Sequence, residues 1–382
     1  MISPRYFFDL LKEQNFTFYA GVPDSLLKDF CAYVTDHSSD KDHIIAANEG
    51  NAIALAAGYH LATKKSGVVY LQNSGLGNCI NPLTSLTDKE IYSLPLLLLI
   101  GWRAEPGKKD EPQHLKMGRI TVPLLQTLEI PYSILPENEE EVKDVIQRAV
   151  QHFSAARTPY ALVVREGTFE AYDLKKKQET HFPLVREEAI KIVASLLGEN
   201  DIVVSTTGKT SRELFEFRET TGKNKEESHK QDFLTVGSMG HSSAIAIGIA
   251  LQKPRQKVYC FDGDGALIMH MGILSTVGKL QPANFNHIIF NNFAHDSVGG
   301  QPTAADAINI LELAKANGYK TVFRAETAEE IQDRISKMQS IDGPTLLEIR
   351  CNKGARKNLG RPTQSPQENK NQFMNFLGSL KE

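Results

Sequence analysis

The sequence predicts an α/β protein built from two doubly wound parallel-sheet domains. Three observations carry that expectation. Short apolar runs rich in Val, Ile and Leu alternate with longer segments of helical period, the runs are continuously apolar, and the two halves of the chain share a short pattern at matching offsets. Apolar runs separated by helices signify strands covered on both faces, which is the habit of parallel sheets.

In chain order, strands are expected at Gly67–Gln72, Leu94–Gly101, Tyr160–Val164, Asp201–Ser205, Lys257–Phe261, His287–Asn291 and Thr345–Ile349. Helices are expected at Gly50–Thr63, Glu139–Phe153, Glu187–Leu197 and Ala328–Met338. In the second of these, Val142, Val145, Ile146, Ala149, Val150 and Phe153 form one apolar stripe. The repeat pairs Pro159, Leu162, Val164 and Arg165 with Pro344, Leu347, Ile349 and Arg350. Two similar α/β units in tandem explain it. A chain of 382 residues also exceeds the ~250–300 at which single cores stop growing. The charged stretch Tyr172–Arg186 reads as the link, so the domains are expected at 1–171 and 187–382.

Composition excludes several classes. Forty-three Lys and Arg against 46 Asp and Glu leave a charge of -3, which argues against general nucleic-acid or membrane-surface binding. Cys31, Cys79, Cys260 and Cys351 lie far apart with no CxxC pair, so neither a zinc cluster nor a disulfide framework is expected. The start, MISPRYFFDLLKEQ, lacks the pattern of a signal peptide, and the apolar stretch Leu94–Gly101 is too short to span a bilayer. The expectation is a reduced, cytoplasmic protein.

The strongest chemical signal follows the run KVYCF. It is Gly263-Asp264-Gly265, then 25 residues, then Asn291-Asn292 after HIIF. Both polar groups therefore fall at the C-terminal ends of parallel strands, where open α/β sheets bind ligands. Gly, Asp and Asn also suit ordinary turns, which explains GDG alone equally well. The spaced NN decides against that reading. An Asp and an Asn are too few to enclose a metal ion, but Mg²⁺ accepts such a pair when a phosphorylated ligand completes its octahedron.

GDG followed by NN resembles the diphosphate-and-magnesium motif of the thiamine-diphosphate enzymes. The resemblance implies a thiamine-diphosphate-binding fold of pyrimidine and diphosphate domains, without the central domain of larger relatives. It makes Asp264 and Asn292 ligands of Mg²⁺ and the Ala294 carbonyl a third, with Gly263 and Gly265 beside the diphosphate. Where the family often has a small residue after NN, this chain has Phe293. In Gly237-Ser238-Met239-Gly240 the resemblance makes Met239 the wedge between the two cofactor rings and the Gly237 carbonyl an acceptor for the 4′-amino group. Glu49, in Asn48-Glu49-Gly50-Asn51, opens an expected helix, a commonplace position for a carboxylate. By resemblance it is the acid that bonds N1′ of the aminopyrimidine and starts proton removal from thiazolium C2.

The resemblance narrows to the phosphonopyruvate decarboxylases. The segments that carry it are GVPDS at 21–25, QNSGLGN at 72–78, GWR at 101–103, DEPQH at 110–114, TTGKTSR at 206–212 and NNFAHDSVGGQ at 291–301. They place Asn73, Gly75, Thr207 and Gly208 among the cofactor contacts. Asp24, His114 and His295 are the expected proton donors or relays. Ser25, Arg103, Lys209, Arg356 and Arg361 are the candidates for a distal substrate anion, because phosphonate needs cations or donors. The activity implied is decarboxylation of 3-phosphonopyruvate to phosphonoacetaldehyde and CO₂. The setting implied is phosphonate biosynthesis, in a homodimer or larger assembly whose sites are shared between subunits.

Two alternatives stay open. Sulfopyruvate decarboxylases share much of the pattern, so another 3-substituted pyruvate is one. A non-catalytic nucleotide-binding α/β protein is the other. Its best motif, Gly208-Lys209-Thr210, lacks the P-loop glycine five residues earlier, where Val203 stands.

Overall fold

The computed structural model describes residues 1–176, 179–221 and 228–381; Lys177 and Gln178 of the expected linker lie outside them. The chain divides into two compact units. The first is Met1–Gln178 with Ser297–Pro302, the second Glu179–Asp296 with Thr303–Glu382.

Each unit holds one six-stranded parallel sheet. In the first, β1 (Tyr19–Gly21), β2 (His43–Ile45), β3 (Val68–Gln72), β4 (Leu97–Gly101), β5 (Tyr132–Ile134) and β6 (Tyr160–Val164) lie in the order β2-β1-β3-β4-β6-β5. In the second, β7 (Ile202–Ser205), β8 (Asp232–Leu234), β9 (Val258–Gly263), β10 (Phe285–Asn291), β11 (Thr321–Ala325) and β12 (Thr345–Arg350) lie in the order β11-β12-β10-β9-β7-β8. Counted from its own first strand and read from the opposite edge, the second order is 2-1-3-4-6-5, the order of the first. The units therefore repeat one topology. The sequence repeat falls on β6 and β12, the sixth strand of each.

Successive strand residues point to opposite faces, and both faces are packed. Val68, Tyr70, Leu97 and Leu99 join one core of the first unit, while Val69, Leu71, Leu98 and Ile100 join the other. The second unit divides likewise, with Val258 and Ile289 on one side and Tyr259 and Ile288 on the other. Register brings the third and fourth strands of each unit to a common level. Gln72 lies beside Gly101, and Gly263 beside Phe290.

Five strands escaped the sequence reading. Four of them, β2, β5, β8 and β11, are the sheet edges. Edge strands are short and half-exposed, so they lack a continuous apolar run. The fifth, β1, is the tripeptide Tyr-Ala-Gly. The expected strand at Leu94 begins instead at Leu97, just beyond Pro95, which has no amide hydrogen for the ladder. The four expected helices appear as Glu49–Thr63, Glu139–Ala155, Arg186–Leu196 and Ala328–Ser340. Asn48 caps the first, accepting from the Asn51 amide at 2.9 Å.

All four cysteines are free and buried, two in each unit. Burial holds each thiol's pKa above its ordinary value. Among the described residues no helix is long and apolar enough to cross a membrane.

Candidate functional site

In the first unit two polar clusters form at the C-terminal ends of strands. Glu49 is the first residue of its helix and only 6% exposed. Its Oε2 accepts from Asn78 Nδ2 at 2.7 Å, and burial raises its pKa. A Cβ on Gly75 would stand 2.3 Å from Glu49 Oε1, so the acid occupies room that only glycine leaves. Asn73, directly after β3, donates to the Arg103 carbonyl and to Thr121 Oγ1, both at 2.9 Å. It therefore acts as a structural tie in this unit.

The second cluster centres on Asp24, after β1. Its fully buried carboxylate accepts from Gln72 Nε2 at 2.6 Å and from the Leu26 amide at 3.0 Å. Desolvation outweighs these bonds and raises its pKa, so a proton is held more readily there than on an exposed Asp. A Cβ on Gly101 would lie 2.1 Å from Asp24 Oδ2, which explains that glycine. Arg103 donates to Ser25 Oγ at 3.0 Å and grips Asp110 with Nε and Nη2. His114 is half-buried and its Nδ1 has no hydrogen-bond partner. Burial, then the Arg103 charge, push its pKa down to about 4. It is thus a neutral imidazole at pH 7.

In the second unit, Asp264 starts the short helix Asp264–Met269 after β9. Its buried carboxylate accepts from the Thr303 hydroxyl, and the backbone of Asn292 and Gly265 also favours its charged form. Burial pushes its pKa up to about 6. Asn292 is 2% exposed; its Oδ1 accepts from the Ala294 amide at 3.2 Å while its Nδ2 has no partner. Around Gly263 a Cβ would meet no protein atom within 4 Å, whereas at Gly265 it would lie 3.2 Å from His295 Cε1. A buried carboxylate with an amide oxygen suits a hard cation, and an orphaned amide donor suits a phosphate oxygen. These residues fit a magnesium-bound diphosphate.

The nearby loops are shaped by the same constraint of close approach. Gly240 has φ 84°, and a Cβ there would lie 2.6 Å from His270 Cδ2. Beside it Ser238 is also left-handed, at φ 55°, and Met239 is half-buried. Thr207 Oγ1 donates to the Val236 carbonyl at 2.8 Å, and Gly208 has φ 91°. The hydroxyl of its neighbour, buried Thr206, has no partner. Half-buried His295 has its pKa pushed down to about 4 by burial.

Several expected cations are already matched. Lys209 Nζ donates to the Asp296 carbonyl at 2.9 Å and carboxylate at 3.2 Å. Arg356 holds Glu187 at 3.0 Å and also Glu216. Both thus meet acidic residues of the protein's own second unit. Arg361 is exposed on the surface. Asn78 and Gln72 were not singled out as site residues. Both stand inside the QNSGLGN segment, and no local pattern marks which of its polar groups reaches an acid.

Two family models match the chain. The thiamine pyrophosphate enzyme N-terminal TPP-binding domain covers residues 4–120, and the C-terminal TPP-binding domain covers 208–349. A phosphonopyruvate decarboxylase of Streptomyces viridochromogenes is 34% identical over 94% of this chain and 91% of its own length. That of Streptomyces hygroscopicus is 33% identical over 94% and 90%. A sulfopyruvate decarboxylase of Methanosarcina acetivorans is 26% identical over 97% and 96%.

Proposed function

The chain belongs to the thiamine-diphosphate-dependent decarboxylases, and from that membership we propose that it converts 3-phosphonopyruvate to phosphonoacetaldehyde and CO₂ with Mg²⁺ as its metal. The observation that carries the substrate is the 33–34% identity, sustained over 94% of the chain, with two phosphonopyruvate decarboxylases. The bound cofactor supplies the electron sink for the departing CO₂. In this reading residues 1–171 bind its pyrimidine and 187–382 its diphosphate.

The chain's own groups have distinct tasks. Glu49, buried with a raised pKa and steadied by Asn78, holds and passes a proton at the pyrimidine nitrogen. Asp264, Asn292 and the Ala294 carbonyl hold Mg²⁺, while Thr206 and the Asn292 amide offer hydrogens to the diphosphate. Asp24, whose pKa is raised, returns the proton that replaces CO₂, and neutral His114 is a donor to the substrate. Ser25 and Arg103 face the distal anion, Asp110 fixing the guanidinium plane. Loss of CO₂ drives forward an unfavourable phosphonate-forming step, which sets the enzyme in phosphonate biosynthesis and in the cytoplasm.

A second copy of the chain completes the site. Supporting this, the Glu49–Thr63 helix exposes Ala54, Gly58 and Leu61, and the Ser242–Gln252 helix exposes Ala244, Gly248 and Leu251 at the same spacing. Beside the first lies an apolar cavity of about 690 Å³ lined by Phe18, Ile44, Leu55 and Tyr59. Mixing inactive Glu49→Gln and Asp264→Ala subunits should restore part of the activity, and well-formed hybrids without any would end the shared-site reading.

Phosphorus NMR of the products, with and without thiamine diphosphate and Mg²⁺, tests the reaction. Phosphonoacetaldehyde should appear only in the complete mixture. A second reading, sulfopyruvate as substrate, draws on the 26% identical relative. Its test is competition of the two keto acids in one assay, where a clear preference for sulfopyruvate would displace the first reading.

A further inference from the structure

Between Asn292 and Ala294, Phe293 has φ 60°. A left-handed residue with a side chain is strained, and such strain persists only where the surroundings over-determine it. Phe293 is held on every side. Its amide donates to Asn291 Oδ1 at 3.1 Å, and its carbonyl accepts from the Thr303 amide at 3.1 Å. Its ring stacks on Phe182 with centroids 5.9 Å apart, under the Arg350 guanidinium at 5.6 Å.

Beyond Ala294 the chain is pinned again, at Asp296. Its Oδ2 accepts from Arg186 Nη1 at 3.1 Å and Lys209 Nζ at 3.2 Å, and its Oδ1 from the Gly354 amide at 3.3 Å. Lys209 Nζ also takes the Asp296 carbonyl at 2.9 Å. Arg186 is itself fixed by two 2.8 Å bonds to Glu213, which is fully buried. The stretch carrying Ala294 thus runs from a strained turn to an anchored aspartate.

We propose that Lys209 and Asp296 are positioning residues: the ammonium that grips both the carbonyl and the carboxylate of Asp296 keeps the strained turn in the shape that presents the Asn292 amide and the Ala294 carbonyl to one magnesium ion. The proposal rests on reading those two groups as metal ligands. It gives Lys209 a task at the metal, where the sequence pointed to the substrate. Outer partners of this kind change metal affinity by roughly 10–100-fold when removed.

The test is calorimetric titration of Mg²⁺ into the full-length chain saturated with thiamine diphosphate. Lys209→Met and Asp296→Asn are compared with the unaltered protein, each alone and together with Phe293→Gly. Each single latch variant should weaken Mg²⁺ binding by about 10–100-fold. Phe293→Gly should return part of that loss, because glycine adopts the left-handed turn without strain. Lys209→Arg should keep most of the affinity. Unchanged Mg²⁺ binding in both single variants would overturn the latch, as would losses untouched by Phe293→Gly. So would a Lys209→Met variant whose only change is a raised KM for the keto acid. If the unaltered protein binds no Mg²⁺ beside the cofactor, the metal-ligand reading itself fails and takes the latch with it.

Discussion

In each unit a polar residue just past the third strand interacts with the backbone that leaves the fourth. In the first unit it is Asn73, which donates to the Arg103 carbonyl at 2.9 Å and accepts from its amide at 3.3 Å. In the second it is Asp264, whose carboxylate charge the Asn292 backbone favours. The sheets share one topology, so these are equivalent places. The neutral amide spends its hydrogen bonds on the fold. The carboxylate can only accept, and burial, which pushes its pKa up to about 6, makes its charge costly to hold there. One heavy atom separates a tie from the proposed cation ligand, and in the first unit the acid appears elsewhere, at Glu49.

Exchanging the two chemistries probes that contrast most directly. Asp264→Asn should abolish Mg²⁺-dependent cofactor retention and lower CO₂ release by more than ~100-fold, beyond the loss typical of outer-shell partners. Near-normal turnover would erase the distinction between the units. Conversely, Asn73→Asp places an unmatched carboxylate against a carbonyl. It should cost about 3 kcal/mol in urea unfolding, the penalty of an unsatisfied buried charged group. A smaller step is Gly75→Ala, whose Cβ would displace the Glu49 carboxylate. We expect roughly a 10²-fold fall in turnover with unchanged circular dichroism, the scale of an ångström-sized misplacement. Full activity would show that the acid needs no such room.

The smallest effect is on acid stability. Burial, then Lys176, push the half-buried His43 pKa down to about 4. Between about pH 6.5 and about pH 4 the unfolded chain therefore binds the proton that the folded chain refuses, so stability falls as pH drops through that window. His43→Gln should reduce the loss between about pH 7.5 and about pH 5 by about 2 kcal/mol. An unaltered pH slope would mean His43 does not contribute.

The interior strands other than β1 were legible because burial on both faces writes a continuous apolar run into the sequence. The edges were not, since half-exposed tripeptides such as His43–Ile45 carry no such mark. Glu49, Asp264 and Asn292 could be singled out because each stands at a strand end or helix start recognisable locally. What sequence could not supply was who neutralises whom. Arg356 is 169 residues from Glu187, and Lys209 is 87 from Asp296, so those cations looked available for a ligand. Such pairings exist only after folding has closed the intervening loops.

The buried cysteines divide evenly, Cys31 and Cys79 in one unit and Cys260 and Cys351 in the other. Shielded and protonated thiols react with alkylating reagents only after the surrounding core has opened. Timed iodoacetamide labelling followed by peptide mass analysis would therefore clock the opening of each half separately, with no engineered probe.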